Sequence, residues 1–161
     1  MSFISRINLR RQSSNKINPD VYQLANRGTN AILIVEQELT LVDTGHNGYS
    51  HQIADFIRQL GRSPEEISLI IITHNHVDHV GGLAEIRKFT SAKIAIHQND
   101  IGERGNNPTV KAEDADIPLK GGEILNPLGG LEIIHTPGHT PGCISLFSPR
   151  NKLLIIGDAM R

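Results

Sequence analysis

The stretch THNHVDHVGG, residues 73–82, sets His74, His76 and His79 around Asp78 and so gathers three of the chain's eight histidines into six positions. It follows directly on ISLIIIT, a continuous β-branched run that predicts a strand buried on both faces. On an extended chain, residues two apart point the same way. His74 and His76 therefore project to one side of the strand's exit, and Asp78 follows if the chain stays extended. His79 falls where the next helix begins, and Gly81 and Gly82 let that helix approach closely. This is not the arrangement in which two histidines one helical turn apart share a helix face. Imidazole and carboxylate groups converging at the end of a buried strand suit zinc or a similar divalent ion. The competing reading, a solvated loop rich in histidine, is disfavoured by the strict spacing and by the position at a strand end, where α/β sites lie.

Two distant stretches repeat the logic of a strand followed by a polar ligand. IIHTPGHTPG places His139 in a tight Pro/Gly loop, and LLIIGDAMR places Asp158 at the end of a short apolar run. Taken singly, His139 reads as a loop histidine and Asp158 as a turn aspartate after Gly157. Together with the cluster they supply the distant ligands that the local four groups lack. His97 and His135 also fall at strand ends and are read as structural or as supports behind the ligands. His46 and His51 follow VDTG and either line an entrance or lie on plain surface. Cys143 begins an apolar run and reads as a buried core thiol.

The elements that must position these groups follow from periodicity. AILIVE and LTLVD, separated by QE, read as a hairpin at the start of a sheet, with VDTG ending its second strand. Ile53, Phe56, Ile57 and Leu60 are spaced as one face of a helix that stops at Gly61. Ser63, Pro64 and Glu66 have the form of a capping box opening a short turn. After the histidines, Val80, Leu83, Ile86 and Phe89 resume a helical pattern, and SAKIAIH is a further strand. Residues 98–120 show no periodicity and read either as a binding or lid segment or as a plain excursion. From Gly121 onward EIL, LEIIHT, CISLFS and LLIIGD read as short strands. Residues 1–20 read as a flexible N-terminal segment, with Arg6, Arg10, Arg11 and Lys16 a solvated cluster, and the domain begins at residue 21. The order predicts an α/β layered domain with a mixed sheet.

Composition narrows the function classes. The chain has 161 residues, a formal net charge of −1, 38% hydrophobic and 20% charged residues, which suits one soluble domain. No basic stripe argues for nucleic acid, and no apolar run has the length of a membrane span. One cysteine excludes an internal disulfide and a zinc–thiolate cluster. With no apolar leader at the N-terminus, a cytoplasmic location is expected.

THNHVDHVGG is similar to the HxHxDH motif of the metallo-β-lactamase superfamily, and VDTG, TPGHTPG and GDAM resemble that family's other landmarks in the same order. The resemblance runs from about Val21 to the last residue, and the TPGHTPG form looks similar to the glyoxalase II-like thioesterase branch. It implies an α/β (α+β) fold, an αββα sandwich with metals at the edge where the sheets meet. It also implies two divalent ions, zinc above iron or manganese. His74, His76 and His139 would hold one ion, Asp78 and His79 the other, with Asp158 bridging, Asp43 a structural residue nearby, and Asp78 also catalytic as orienter of the nucleophile and proton carrier. The implied reaction is hydrolysis of an ester-like bond (thioester, lactone or related) in a small-molecule substrate by a metal-bound hydroxide. β-Lactam and phosphodiester cleavage are less favoured. Family members continue through a helix, a strand and a last histidine, whereas this sequence ends three residues after Asp158. The resemblance therefore implies that residues 21–161 form a domain lacking its C-terminal part. Its sandwich, incomplete in the second half, would be completed by the rest of a longer protein, of which this sequence is read as a fragment, or else covered by a second copy of the chain or by a partner. The alternatives are a persulfide dioxygenase-like enzyme with one iron, and a truncated, non-catalytic metal-binding remnant.

Overall fold

The computed structural model describes residues 14–102 and 110–160. Their strands form two sheets. The larger has seven strands in sequential order: β1 (Ser14–Asn18), β2 (Val21–Asn26), β3 (Thr29–Val35), β4 (Leu39–Val42), β5 (Ile67–Ile72), β6 (Lys93–His97) and β7 (Ile117–Leu119). Pairing is antiparallel from β1 to β4 and parallel from β4 to β7. The smaller sheet is antiparallel, in the order β11 (Leu153–Ile155), β10 (Ile144–Ser148), β9 (Leu131–His135), β8 (Ile124–Leu125).

Strand periodicity of two explains why the central strands are apolar throughout. In β5, Ile70 and Ile72 enter a core beneath the helices, while Leu69 and Ile71 enter a second core between the sheets. Leu33 and Ile34 of β3, and Ile94 and Ala95 of β6, divide in the same way. Helix α1 (Ser50–Gln59) buries Ile53, Phe56 and Ile57 in the first core, and Gly61, at φ 74°, turns the chain away after it. The Ser63 turn is a 3-10 turn over Pro64–Glu66, with the Glu66 carboxylate accepting from the Ser63 amide at 2.6 Å.

The layers among the described residues are helices, seven-stranded sheet, four-stranded sheet. No helix among them covers the outer face of the smaller sheet, which exposes Ile124, Ile134 and Leu154. This is the α/β sandwich expected from the sequence, incomplete in its second half. No helix of the described residues is long and apolar enough to cross a membrane.

Three expectations need correction. Residues 1–13 lie outside the described residues, but Ser14–Asn18, read as part of a flexible lead-in, is the edge strand β1. Its polar sequence suits an edge that pairs through backbone on one side only. The excursion at residues 98–120 contains β7, a three-residue edge strand whose Pro118 and short length hide it from periodicity. Residues 103–109 of that stretch lie outside the described residues. The helical pattern after the histidines is two short helices, α2 (Val77–Val80) and α3 (Leu83–Ile86), divided at Gly81 and Gly82.

The inter-sheet core is expected to carry much of the stability. Ile71→Ala, at a fully buried position, should cost about 2–5 kcal/mol in urea denaturation. Ile124→Ser, at an exposed one, should stay within about 0.5 kcal/mol.

Candidate metal centre

Parallel strands β4, β5 and β6 all end at one edge of the large sheet, and each delivers polar groups there. Asp43 follows β4, Thr73 to His76 follow β5, and Asp100 follows β6. The smaller sheet brings His139, on the β9–β10 loop, and Asp158, after β11, to the same edge. The sheets are tied there by a backbone bond from the Ile144 amide to the Thr73 carbonyl, 2.9 Å.

The six side chains named from the sequence meet at this edge. Ligand atoms of His74, His76 and His139 lie within 4.8 Å of one another, and so do those of His74, His79 and Asp158. Asp158 faces both ways: Oδ2 lies 3.4 Å from His139 Nε2 and 3.9 Å from His74 Nε2, while Oδ1 lies 3.6 Å from His79 Nε2. Asp78 Oδ2 is 3.7 Å from His79 Nε2, so Asp78 borders the second group. His74 and His79 are buried, His76 is half-buried and His139 exposed, which leaves one side of the cluster open to solvent.

Hydrogen bonds aim the two buried rings. The carboxylate of buried Asp43 accepts from the Thr73 amide (2.8 Å) and the Thr73 hydroxyl (2.7 Å), and its Oδ2 lies 2.7 Å from His79 Nδ1. Nδ1 of His79 is therefore the protonated nitrogen. The Thr73 hydroxyl, having given its hydrogen to Asp43, accepts from His74 Nδ1 at 3.1 Å. In their neutral form both rings then present a bare Nε2 to the cluster. These two Nε2 atoms are buried without a hydrogen-bond partner. Such orphans are rare in folded proteins and mark an ion or a strain. Here each lies with carboxylate oxygen and other imidazole nitrogens around it, a donor set of nitrogen and oxygen that fits a divalent ion.

Close packing brings the segments near enough. A Cβ on Gly82 would lie 2.5 Å from the Thr44 carbonyl, so only glycine lets α2 and α3 seat against the VDTG turn. There Thr44 donates its amide (2.7 Å) and hydroxyl (2.9 Å) to the His79 carbonyl. Gly157, at φ 52°, would meet Thr73 at 2.9 Å with a Cβ, and its absence carries Asp158 up to His74 and His139.

The two buried imidazoles shift in opposite directions. Burial, then the nearby His79, pushes His74 down to about 3. Burial also opposes a charge on His79, but the Asp43 hydrogen bond and the charges of Asp43, Asp78 and Asp158 outweigh it and raise the group above its ordinary value.

His97 and His135 stand apart from the cluster, stacked at 4.0 Å between ring centroids. His97 Nδ1 accepts from the Asn99 amide, and its Nε2 donates to the Lys120 carbonyl, which makes it structural. His46 is half-buried and His51 exposed. Cys143 is a buried free thiol. A cavity of about 250 Å³ lined by β2, β3 and β11 reaches Asp43, His79 and Asp158. Sequence reasoning missed Thr73, Asn75 and Asp100, whose partners are 25 to 42 residues away.

The family model of the metallo-β-lactamase superfamily matches residues 24–161. The chain belongs to the metallo-β-lactamase superfamily. It is 32% identical to the probable metallo-hydrolase YqgX of Bacillus subtilis over 140 residues, covering 80% of this chain and 64% of that protein. It is 36% identical to a hydroxyacylglutathione hydrolase of Pseudomonas aeruginosa over 96 residues, covering 58% of this chain and 33% of the enzyme. Among solved structures, BJP-1, a subclass B3 metallo-β-lactamase of Bradyrhizobium japonicum, superposes with a TM-score of 0.72 at 30% identity, over 85% of this chain and 58% of that one. The chain thus spans less than two thirds of the length of the relatives it matches.

With metal removed by chelation, the opposed histidine shifts set the pH dependence of stability. His74 binds its proton in the unfolded chain below the ordinary value of 6.5 but not in the fold until about 3. Stability should therefore fall as pH drops through that window. His79, raised in the fold, contributes stability present below 6.5 and lost as pH rises through its folded value. Chelated protein should be most stable near pH 6.5 in urea melts. His74→Gln should flatten the acid side of that curve.

Proposed function

We propose that this chain is the metal-binding domain of a hydrolase that cleaves an ester-like bond, thioester or lactone, in a small-molecule substrate. The observation that carries the reading is the pair of buried, unpartnered Nε2 atoms of His74 and His79, aimed into a cluster completed by His76, His139, Asp78 and Asp158. The similarity to a hydroxyacylglutathione hydrolase supports the ester-like substrate class. A cytoplasmic setting fits the single cysteine, held as a free thiol.

His74, His76 and His139 would hold one ion, and His79 and Asp78 a second, with Asp158 offering one oxygen to each group. Zinc suits the mixed imidazole and carboxylate donors. Ions there would supply Lewis-acid chemistry, acidifying a water toward neutrality and polarising the scissile carbonyl. The chain's own residues do the rest. Asp43 and Thr73 hold both buried rings in the tautomer that leaves Nε2 bare. His76 and His139 line the open side by which substrate enters. Asp78, 22% exposed in its side chain, would orient the nucleophile, take a proton at its carboxylate and return it to the leaving group.

Metal analysis of the purified protein should find zinc-type ions, the second held more weakly than the first, with turnover of thioester or lactone, weak in the isolated chain, exceeding that of β-lactam and phosphodiester. Asp78→Ala should lower kcat by about 10²–10⁴-fold. A single iron with oxygen uptake would replace the hydrolase with a dioxygenase. Metal without turnover on the whole panel would leave a binding domain only.

A further inference from the structure

We infer that Asp100 is a positioning residue that locks the two ligand-bearing loops into one register. Asp100 belongs to neither loop. It closes the 3-10 turn Gln98–Asp100 that follows β6, and it is buried to 1% exposure. Its Oδ2 accepts from the Asn75 amide at 3.1 Å and from the Thr140 hydroxyl at 2.6 Å, and its Oδ1 accepts from the Gly142 amide at 2.9 Å. Asn75 is the residue between His74 and His76, and Thr140 directly follows His139. One carboxylate therefore grips the immediate neighbours of all three groups proposed to hold the first ion.

The grip is close and reciprocated. The Asn75 side chain donates back to the Asp100 carbonyl at 2.7 Å, so the two residues are bound through both backbone and side chain. Gly142 comes in so tightly that a Cβ there would lie 2.7 Å from Cβ and Cγ of Asp100. The far side of the same loop is held by His135, whose Nε2 donates to the Pro141 carbonyl at 2.9 Å while its ring stacks on His97. Buried amides need acceptors, and at Asn75 and Gly142 the acceptor is this carboxylate rather than a strand partner. Fixing the Asn75 amide fixes the peptide that joins His74 to Asn75 and so sets where both flanking imidazoles point. Metal sites tolerate little error in ligand placement, and groups that orient ligands from behind typically matter about 10–100-fold in affinity.

Asparagine at position 100 puts an amide group where a carboxylate oxygen stood. In one orientation that group faces the Gly142 N–H, in the other the Asn75 N–H, so one backbone donor loses its acceptor either way. The inference rests on the proposed metal centre, and its test reads metal binding rather than turnover. Wild type, Asp100→Asn, Thr140→Val and the conservative Thr140→Ser would be titrated with zinc against a chromophoric chelator. Each would also be loaded with cobalt(II) for its visible spectrum. Melting of the metal-free forms and amide exchange at Asn75 and Gly142 would be measured in parallel.

Asp100→Asn and Thr140→Val should bind zinc about 10–100-fold more weakly, with altered cobalt bands and faster exchange at the released amides, and Thr140→Ser should match wild type. Unchanged zinc affinity and cobalt spectra in both variants, whatever their melting temperatures, would overturn the inference and leave Asp100 a stabiliser of the fold. Should Asp100→Asn fail to fold, Thr140→Val, which removes one hydrogen bond, decides alone. Absence of stoichiometric zinc on the wild type would instead overturn the metal centre itself, and this inference with it.

Discussion

The carboxylate of Asp43 is the interaction on which the rest of the centre depends. It is buried, and it takes three donors at once: the Thr73 amide, the Thr73 hydroxyl and His79 Nδ1. To reach them the residue sits at φ 59°, a left-handed conformation that costs a non-glycine residue about 1–2 kcal/mol. Aspartate is among the few residues that tolerate it. The return is structural and chemical together. Asp43 ties the end of β4 to the end of β5, orients His79 directly and orients His74 through Thr73. A buried carboxylate with fewer partners would be a liability, whereas with three it specifies one arrangement of two imidazoles.

A second constraint is distance. Ligands from 74–79, 139 and 158 come from both sheets, so the sheets must meet closely at this edge. The Thr73 carbonyl accepts from Ile144, and Gly157 packs against the Thr73 side chain, so this residue joins the seam through both its backbone and its side chain. Away from that edge the sheets are separated by full-sized side chains such as Ile71, Leu119, Ile133 and Leu146. The apolar core holds the sheets apart while hydrogen bonds at the rim draw them together. The cluster sits where the two effects meet.

These causes explain what could be read from the amino-acid order. The strands buried on both faces, β3 to β6, announce themselves as apolar runs because each side chain has somewhere dry to go. The edge strands β1 and β7 do not, since an edge needs only backbone partners, and SNKIN and IPL carry no alternation. The six clustered side chains were legible because their types are rare and their spacing is local, three of the histidines lying within six positions. Thr73, Asn75 and Asp100 were not. Threonine, asparagine and aspartate in a polar loop look alike whether they face water or a backbone amide 42 residues away. The one available signal was position: Asp100 follows a buried strand that is parallel to β5, so it leaves the sheet at the same edge as the histidines.

The electrostatics of the cluster follow from the same geometry. His74 and His79 lie with ring centroids 4.1 Å apart, too close for both to be charged in a buried place. Asp43 favours the charged form of His79 over that of His74, because it bonds His79 directly and His74 only through a hydroxyl. Asp78 and Asp158 add to the negative field on the same side of His79. A divalent cation held there would compete with at most a proton and not with a filled hydrogen bond, since no protein group accepts at either Nε2. Two orphaned nitrogens and gathered carboxylates are therefore the features that a bound cation would relieve, so one geometry would set both the affinity of the centre for an ion and the cost of leaving it empty.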